Sequence, residues 1–128
     1  MRYAVIDTNV LVSALISPNG NAAIILGMIT NGFLAPLYCS QIIYEYTSVL
    51  ERQRFGFSKN LIDEALTSFD IFGVPVQPEK SDFFMVDESD RVFYDTAVSG
   101  NAMLITGNLR HYPQKTFIVN PANFLLLD

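Results

Sequence analysis

Short apolar runs, each closed by polar residues and separated by stretches of helical periodicity, restrict this chain to few folds. The first run is Tyr3-Ala4-Val5-Ile6, ended by Asp7 and followed at once by Thr8-Asn9-Val10-Leu11. An unbroken apolar run reads as a strand buried on both faces, because a strand with one wet face alternates. Arg2 to Ile6 is therefore the first expected strand. Others are expected at Phe33–Tyr38, Val74–Val76, Ala102–Thr106 and Thr116–Val119. Pro36 lacks an N–H for the ladder, which marks the second strand as an edge or a bulge.

Helices are expected between these runs. One stretch includes Asn21 to Asn31, where Ala22, Ile25, Leu26 and Ile29 recur at helical spacing. A second runs from Gln41 to Arg52 with Ser40 as its cap, and a third from Ser58 to Phe72, stopped by Gly73. Asp90 to Ser99 and Pro121 to Leu127 complete the set, with Pro78 to Asp87 a loop. Strand and helix alternating in this way give an α/β fold, a mostly parallel sheet covered by helices on both faces.

With 128 residues, the chain fits one compact domain spanning 1–128. Half the residues are apolar and 16% are charged, enough for a sizeable core and against disorder. No apolar run reaches the roughly eighteen residues of a membrane span, and no signal-peptide pattern precedes the first strand. The single cysteine, Cys39, excludes an internal disulfide and a cysteine-based zinc site, and is expected to be a small core filler. These features suit a cytoplasmic protein. A net charge of −5 argues against a general polyanion-binding surface. That objection weakens where acids converge on cations, because a bound ion inverts the sign of its site.

Asp7 lies where the first strand leaves the sheet, and in open α/β sheets ligands bind at that edge. Glu45 lies about 100° from the centre of the stripe formed by Ile42, Ile43, Tyr46, Val49 and Leu50, on the border between core and solvent. It is either a solvated flank or a side chain leaning into a cleft. Asp90 stands just before a helical stripe, as an N-cap or a ligand, and Asp95 follows on a somewhat different face. Asp87 and Glu88 read as solvated loop charges. Leu104-Ile105-Thr106-Gly107-Asn108 ends another apolar run in polar groups. If that strand is parallel and adjacent to the first, Thr106 and Asn108 emerge beside Asp7; the alternative for Asn108 is a plain turn.

Together these segments resemble a known family. Asp7-Thr8-Asn9-Val10, Glu45, Asp90-Arg91-Val92-Phe93-Tyr94-Asp95 and Leu104-Ile105-Thr106-Gly107-Asn108 fall in the order and spacing of PIN domains, the nuclease domains of bacterial VapC-type toxins. The likeness covers essentially the whole chain. It implies a three-layer α/β/α sandwich and a Mg²⁺- or Mn²⁺-dependent endoribonuclease that leaves a 5′-phosphate and a 3′-hydroxyl. It also implies a homodimer neutralised by an antitoxin. Asp7, Glu45 and Asp90 match the family's three central acids, and Asp95 a further one. Asn108 stands where many members carry a fourth aspartate, which removes one negative ligand.

Phosphodiester hydrolysis needs an activated water and relief of charge on the phosphate, and hard cations held by carboxylates supply both. The expectation is that Asp7, Glu45 and Asp90 bind one ion, directly or through water. Asp95 and Asn108 would hold outer waters or a second ion, and Thr8, Asn9 and Thr106 would orient the carboxylates. Arg52 and Arg54, beside Phe55 and Phe57, are candidates to grip single-stranded RNA; a solvated helix end explains them equally well. His111, the only histidine, is a general base or a surface side chain. Two other readings compete. A PIN-like binding module would lack competent metal binding. A phosphatase of the haloacid-dehalogenase type would need an aspartate where this chain has Asn9, and a backing lysine, but no lysine precedes Lys59.

Overall fold

The computed structural model describes residues 2–127. Its centre is β1 (Arg2–Ile6), whose last three residues are buried, as an unbroken apolar run requires. β1 lies in a five-stranded, wholly parallel sheet with β2 (Leu34–Tyr38), β3 (Val74–Pro75), β4 (Met103–Ile105) and β5 (Ile118–Val119), in the order β3-β2-β1-β4-β5.

The chain therefore steps outward from β1 to β2 and β3, then returns past β1 to β4. Right-handed crossovers put helices of the outward and return steps on opposite faces, giving three α/β/α layers. Accordingly, α5 (Arg91–Ser99) packs on β1, β4 and β2. The other layer contains α2 (Asn21–Thr30) and α4 (Lys59–Phe72), which pack on β2 and on each other. The short α6 (Pro121–Leu125) packs on α2. The point where the strand order reverses lies between the ends of β1 and β4, a topological switch point where such sheets bind ligands.

Three local expectations are corrected. The polar break Ser17-Pro18-Asn19-Gly20 divides the first helical stretch into α1 (Thr8–Ile16) and α2. β2 is an interior strand, not an edge; Pro36 is tolerated because β3 pairs only with Leu37 and Tyr38, so at Pro36 the ladder faces β1 alone. Ser40 is the first residue of α3 (Ser40–Leu50) and Cys39 its N-cap, half-buried at the sheet edge. Ser58 caps α4 as expected, accepting the N–H of Leu61 at 3.1 Å. Among the described residues, no single helix is long and apolar enough to cross a membrane.

One contact sets the position of α3. Tyr46 is fully buried and packs edge-on to Phe69 at 5.3 Å, and its hydroxyl donates to the Ile6 carbonyl at the end of β1. A buried carbonyl left unpaired would cost about 1–3 kcal/mol, so this bond locks the helix over the strand end. Glu45, the residue before Tyr46, is thereby held beside Asp7.

Candidate metal centre and nucleic-acid cleft

The register of the two central strands builds the site. Ile6 pairs with Ile105, and the Asp7 N–H extends the ladder to the Ile105 carbonyl at 2.9 Å. Asp7 and Thr106 therefore face one another one step past the sheet, and the Thr106 hydroxyl donates to Asp7 Oδ2 at 2.8 Å. The Tyr112 hydroxyl donates to the same oxygen at 2.9 Å, leaving Oδ1 clear of both. Asp7 also begins α1, yet its side chain makes no capping bond. The carboxylate is 4% exposed. Burial raises its pKa, against the lowering effect of the Thr106 and Tyr112 bonds. Burial and the Asp7 charge raise the Tyr112 phenol far above its ordinary range, so it remains a donor.

Glu45 leans into the same cleft, half-buried, with Oε2 accepting the Thr8 hydroxyl at 2.9 Å. Burial raises its pKa, the Thr8 bond opposes this, and the charges of Asp7 and Asp87 raise it further. Asp90 closes a 3₁₀ turn, Glu88–Asp90, ahead of α5. Its side chain makes no capping bond to α5; Asp87 caps the turn instead, through the Ser89 N–H. Asp90 Oδ2 lies 3.0 Å from His111 Nδ1. Burial, then the Asp7 charge, push Asp90 up to about 6, while the His111 bond pulls it down. Among the described residues, no lysine or arginine forms an ion pair with Asp7, Glu45 or Asp90. Among the described residues Asp87, Asp90 and His111 are the group whose ligand atoms meet within 4.8 Å, and Asp7 and Glu45 line the same cleft at longer range, a spacing that suits a hard cation reached partly through water.

These acids line one open cleft of about 460 Å³ with Thr8, Asn9, Asp87, Asn108, His111, Arg52, Arg54 and Phe55. Asn9 acts on the backbone: its Oδ1 accepts the Gly107 N–H at 2.8 Å, a close approach in which a Cβ at Gly107 would lie 3.0 Å from that oxygen. The Asn108 N–H donates to the Thr106 hydroxyl at 3.0 Å, which fixes that hydroxyl as it donates to Asp7.

Residues 3–110 match the PIN domain family. This chain belongs to the PIN-domain family. A relative, an uncharacterised protein of Methanocaldococcus jannaschii, is 34% identical over 108 residues, covering 81% of this chain and 69% of that protein. The fold resembles the crystal structure of VapBC2 from Rickettsia felis bound to a DNA fragment from their promoter. That likeness has a TM-score of 0.55 and 16% identity, over 86% of this chain and 90% of that one.

Of the residues singled out in the sequence, this PIN domain brings Asp7, Glu45, Asp90, Thr8, Asn9, Asn108, Arg52 and Arg54 to the cleft, with Thr106 bonded beneath Asp7. Asp95 is not brought there. Its Oδ1 accepts the Ser81 hydroxyl at 2.6 Å and its Oδ2 the Ser81 N–H at 3.1 Å. Arg91 donates to the carbonyls of Ser81 and Phe83, so together they pin the loop that leads to Asp87. The physical reason is helical: five residues beyond Asp90, the side chain points towards the loop instead of the sheet edge.

Tyr112, Asp87 and His111 are functional candidates that sequence reasoning missed or set aside. Tyr112 follows a polar turn and no periodicity marks it. The one available signal was its place a few residues past the Thr106 strand end, where side chains can fold back over Asp7.

Proposed function

We propose that this PIN domain is a divalent-metal-dependent endoribonuclease, with Asp7, Glu45 and Asp90 holding Mg²⁺ or Mn²⁺ directly or through water. The observation that carries the proposal is the convergence of those three acids, from a strand end, a helix flank and a 3₁₀ turn, in one cleft at the switch point of a parallel sheet. When bound, the ion supplies an activated water and relief of charge on the phosphate.

The chain's own groups orient and grip. Thr106 and Tyr112 hold Asp7 by one oxygen, and Thr8 holds Glu45, so the carboxylates keep their geometry before the ion arrives. Arg52 and Arg54 sit at the rim, with the Arg54 guanidinium 4.8 Å from the Phe55 ring centre. Phe55 and Phe57 stack at 5.4 Å with planes 10° apart, and both are partly exposed. Cations beside stacked aromatics suit a single strand, whose phosphates and splayed bases they can hold together.

Family membership and the fold likeness to VapBC2 support a toxin role with an antitoxin as partner; a homodimer as the working state is part of the same proposal and rests on the family resemblance alone. Size-exclusion chromatography with light scattering, alone and with the product of a neighbouring small gene, tests that pairing.

The decisive experiment is cleavage of a mixed-sequence single-stranded RNA in Mn²⁺, Mg²⁺ or chelator, with Asp7→Asn as control. The expected result is cleavage in either ion, none in chelator or in the variant, and products ending in 5′-phosphate. Cleavage that survives both chelator and Asp7→Asn would overturn the reading. Tight Mn²⁺ binding without cleavage would favour a binding module, the alternative that Asn108 raises.

A further inference from the structure

We propose that His111, with Asp87 and Asp90, forms a mixed nitrogen–oxygen site for a second divalent ion, Mn²⁺, Co²⁺ or Zn²⁺. The site rests on the nuclease reading only in sharing Asp90.

Asp87, Asp90 and His111 each offer one ligand atom, and all three atoms lie within 4.8 Å of one another. Two opposed 3₁₀ turns create this meeting, Glu88–Asp90 before α5 and Leu109–His111 after β4. Each turn is closed by a backbone bond, Asp90 N–H to the Asp87 carbonyl at 3.1 Å and His111 N–H to the Asn108 carbonyl at 3.0 Å. The site is therefore carried by backbone geometry and not by mobile side chains alone.

One pair of the three already stands at coordination spacing. With metal–ligand bonds of about 2.1 Å, two ligands at right angles lie about 3.0 Å apart. His111 Nδ1 and Asp90 Oδ2 are 3.0 Å apart. An ion can replace the proton between them, the neutral ring then carrying its proton on Nε2. Asp87 is oriented in advance, because its Oδ1 accepts both the N–H and the hydroxyl of Ser89, at 3.0 and 2.8 Å, leaving Oδ2 for a ligand. A simple Asp90–His111 pair accounts for the 3.0 Å contact but not for the approach of Asp87 to both.

The donor set decides the ion. Magnesium favours oxygen and water, whereas imidazole suits the first-row transition ions and zinc. The second site is thus expected to discriminate against Mg²⁺ where three carboxylates alone would not.

His111 is the only histidine of the chain, so in tag-free protein an imidazole nitrogen bonded to an ion can come from no other residue. Mn²⁺ titration followed by electron paramagnetic resonance, with pulsed detection of directly bonded ¹⁴N, reads the site without any RNA. The expected result is nitrogen coupling in the full chain, its loss in His111→Gln, and binding of that ion weakened at least about tenfold in Asp87→Asn. Both positions are partly or fully exposed, and circular dichroism verifies that the variants fold. Coupling retained in Asp7→Asn while cleavage is lost supports two separable ions. Saturating Mn²⁺ without nitrogen coupling, or no Mn²⁺ binding at all, overturns the second site. The nuclease reading is judged separately by RNA cleavage, so either can fail alone.

Discussion

Two hydroxyls meet on Asp7 Oδ2, and their bonds offset part of the cost of burying that carboxylate. Tyr112→Phe removes one donor and keeps the ring. The expected outcome is a stability change of about 1 kcal/mol, with Mn²⁺ affinity or cleavage falling roughly 10- to 100-fold. Mn²⁺ titration alongside thermal melts checks this; an unchanged affinity would make Tyr112 a packing residue only. The carboxylates also set a pH dependence. Asp90 is raised to about 6 from an ordinary 3.8, and Asp7 and Glu45 are raised in the same sense. Between those values the folded chain keeps a proton that the unfolded chain has released. Stability is therefore fully present below the ordinary carboxylate range and declines as pH rises through about 6. For Asp90 the decline is at most roughly 3 kcal/mol, at about 1.4 per pKa unit. Urea melts in chelator are expected to show lower stability at pH 7 than at pH 5, and Mn²⁺ to cancel the difference. A chelated protein more stable at pH 7 would refute the assignment.

At the scale of elements, α5 and the loop before it divide the acids of Asp90-Arg91-Val92-Phe93-Tyr94-Asp95 into different tasks. Asp90 faces the cleft and Asp95 holds Ser81. Asp95→Ala is expected to destabilise the fold by about 1–3 kcal/mol, since it strands two donors. It should leave Mn²⁺ affinity within a few-fold of the parent. A collapse of metal binding without loss of stability would instead make Asp95 a ligand. The contrast shows what was legible in the sequence. β1, β4 and the Asp7–Thr106 edge could be read because apolar runs ending in polar groups report burial along one short segment. Glu45 could be placed because helical periodicity reports which face a residue occupies. Asp95, Tyr112 and the Asp87–Asp90–His111 meeting depend on where loops return in space, and local pattern carries no information about that. Pro36 misled for a related reason: the rule for proline concerns ladder partners, and the shortness of β3 was not visible from β2.

For the whole molecule, the difficulty is an acidic protein acting on a polyanion. Its net charge of −5 repels RNA at long range, and the cleft adds four carboxylates, Asp7, Glu45, Asp87 and Asp90, against Arg52 and Arg54 at the rim. If two arginines make the phosphate contacts, the slope of log affinity against log salt for a single strand should be shallow, about −1.4 at roughly −0.7 per contact. Arg52→Ala should lower its magnitude by about 0.7. Bound cations change the sign of the cleft, so Mn²⁺ should raise affinity while leaving that slope nearly as it was. Fluorescence anisotropy of a labelled single-stranded RNA against NaCl in chelator measures the slope, and stopped-flow mixing with Mn²⁺ reads affinity before cleavage. A slope steeper than about −4 that ignores both Mn²⁺ and Arg52→Ala would place RNA on another, more basic surface. The metal centre would then be separate from the nucleic-acid grip, because a phosphate chain lying in this cleft must respond both to the rim arginines and to the ions that offset its carboxylates.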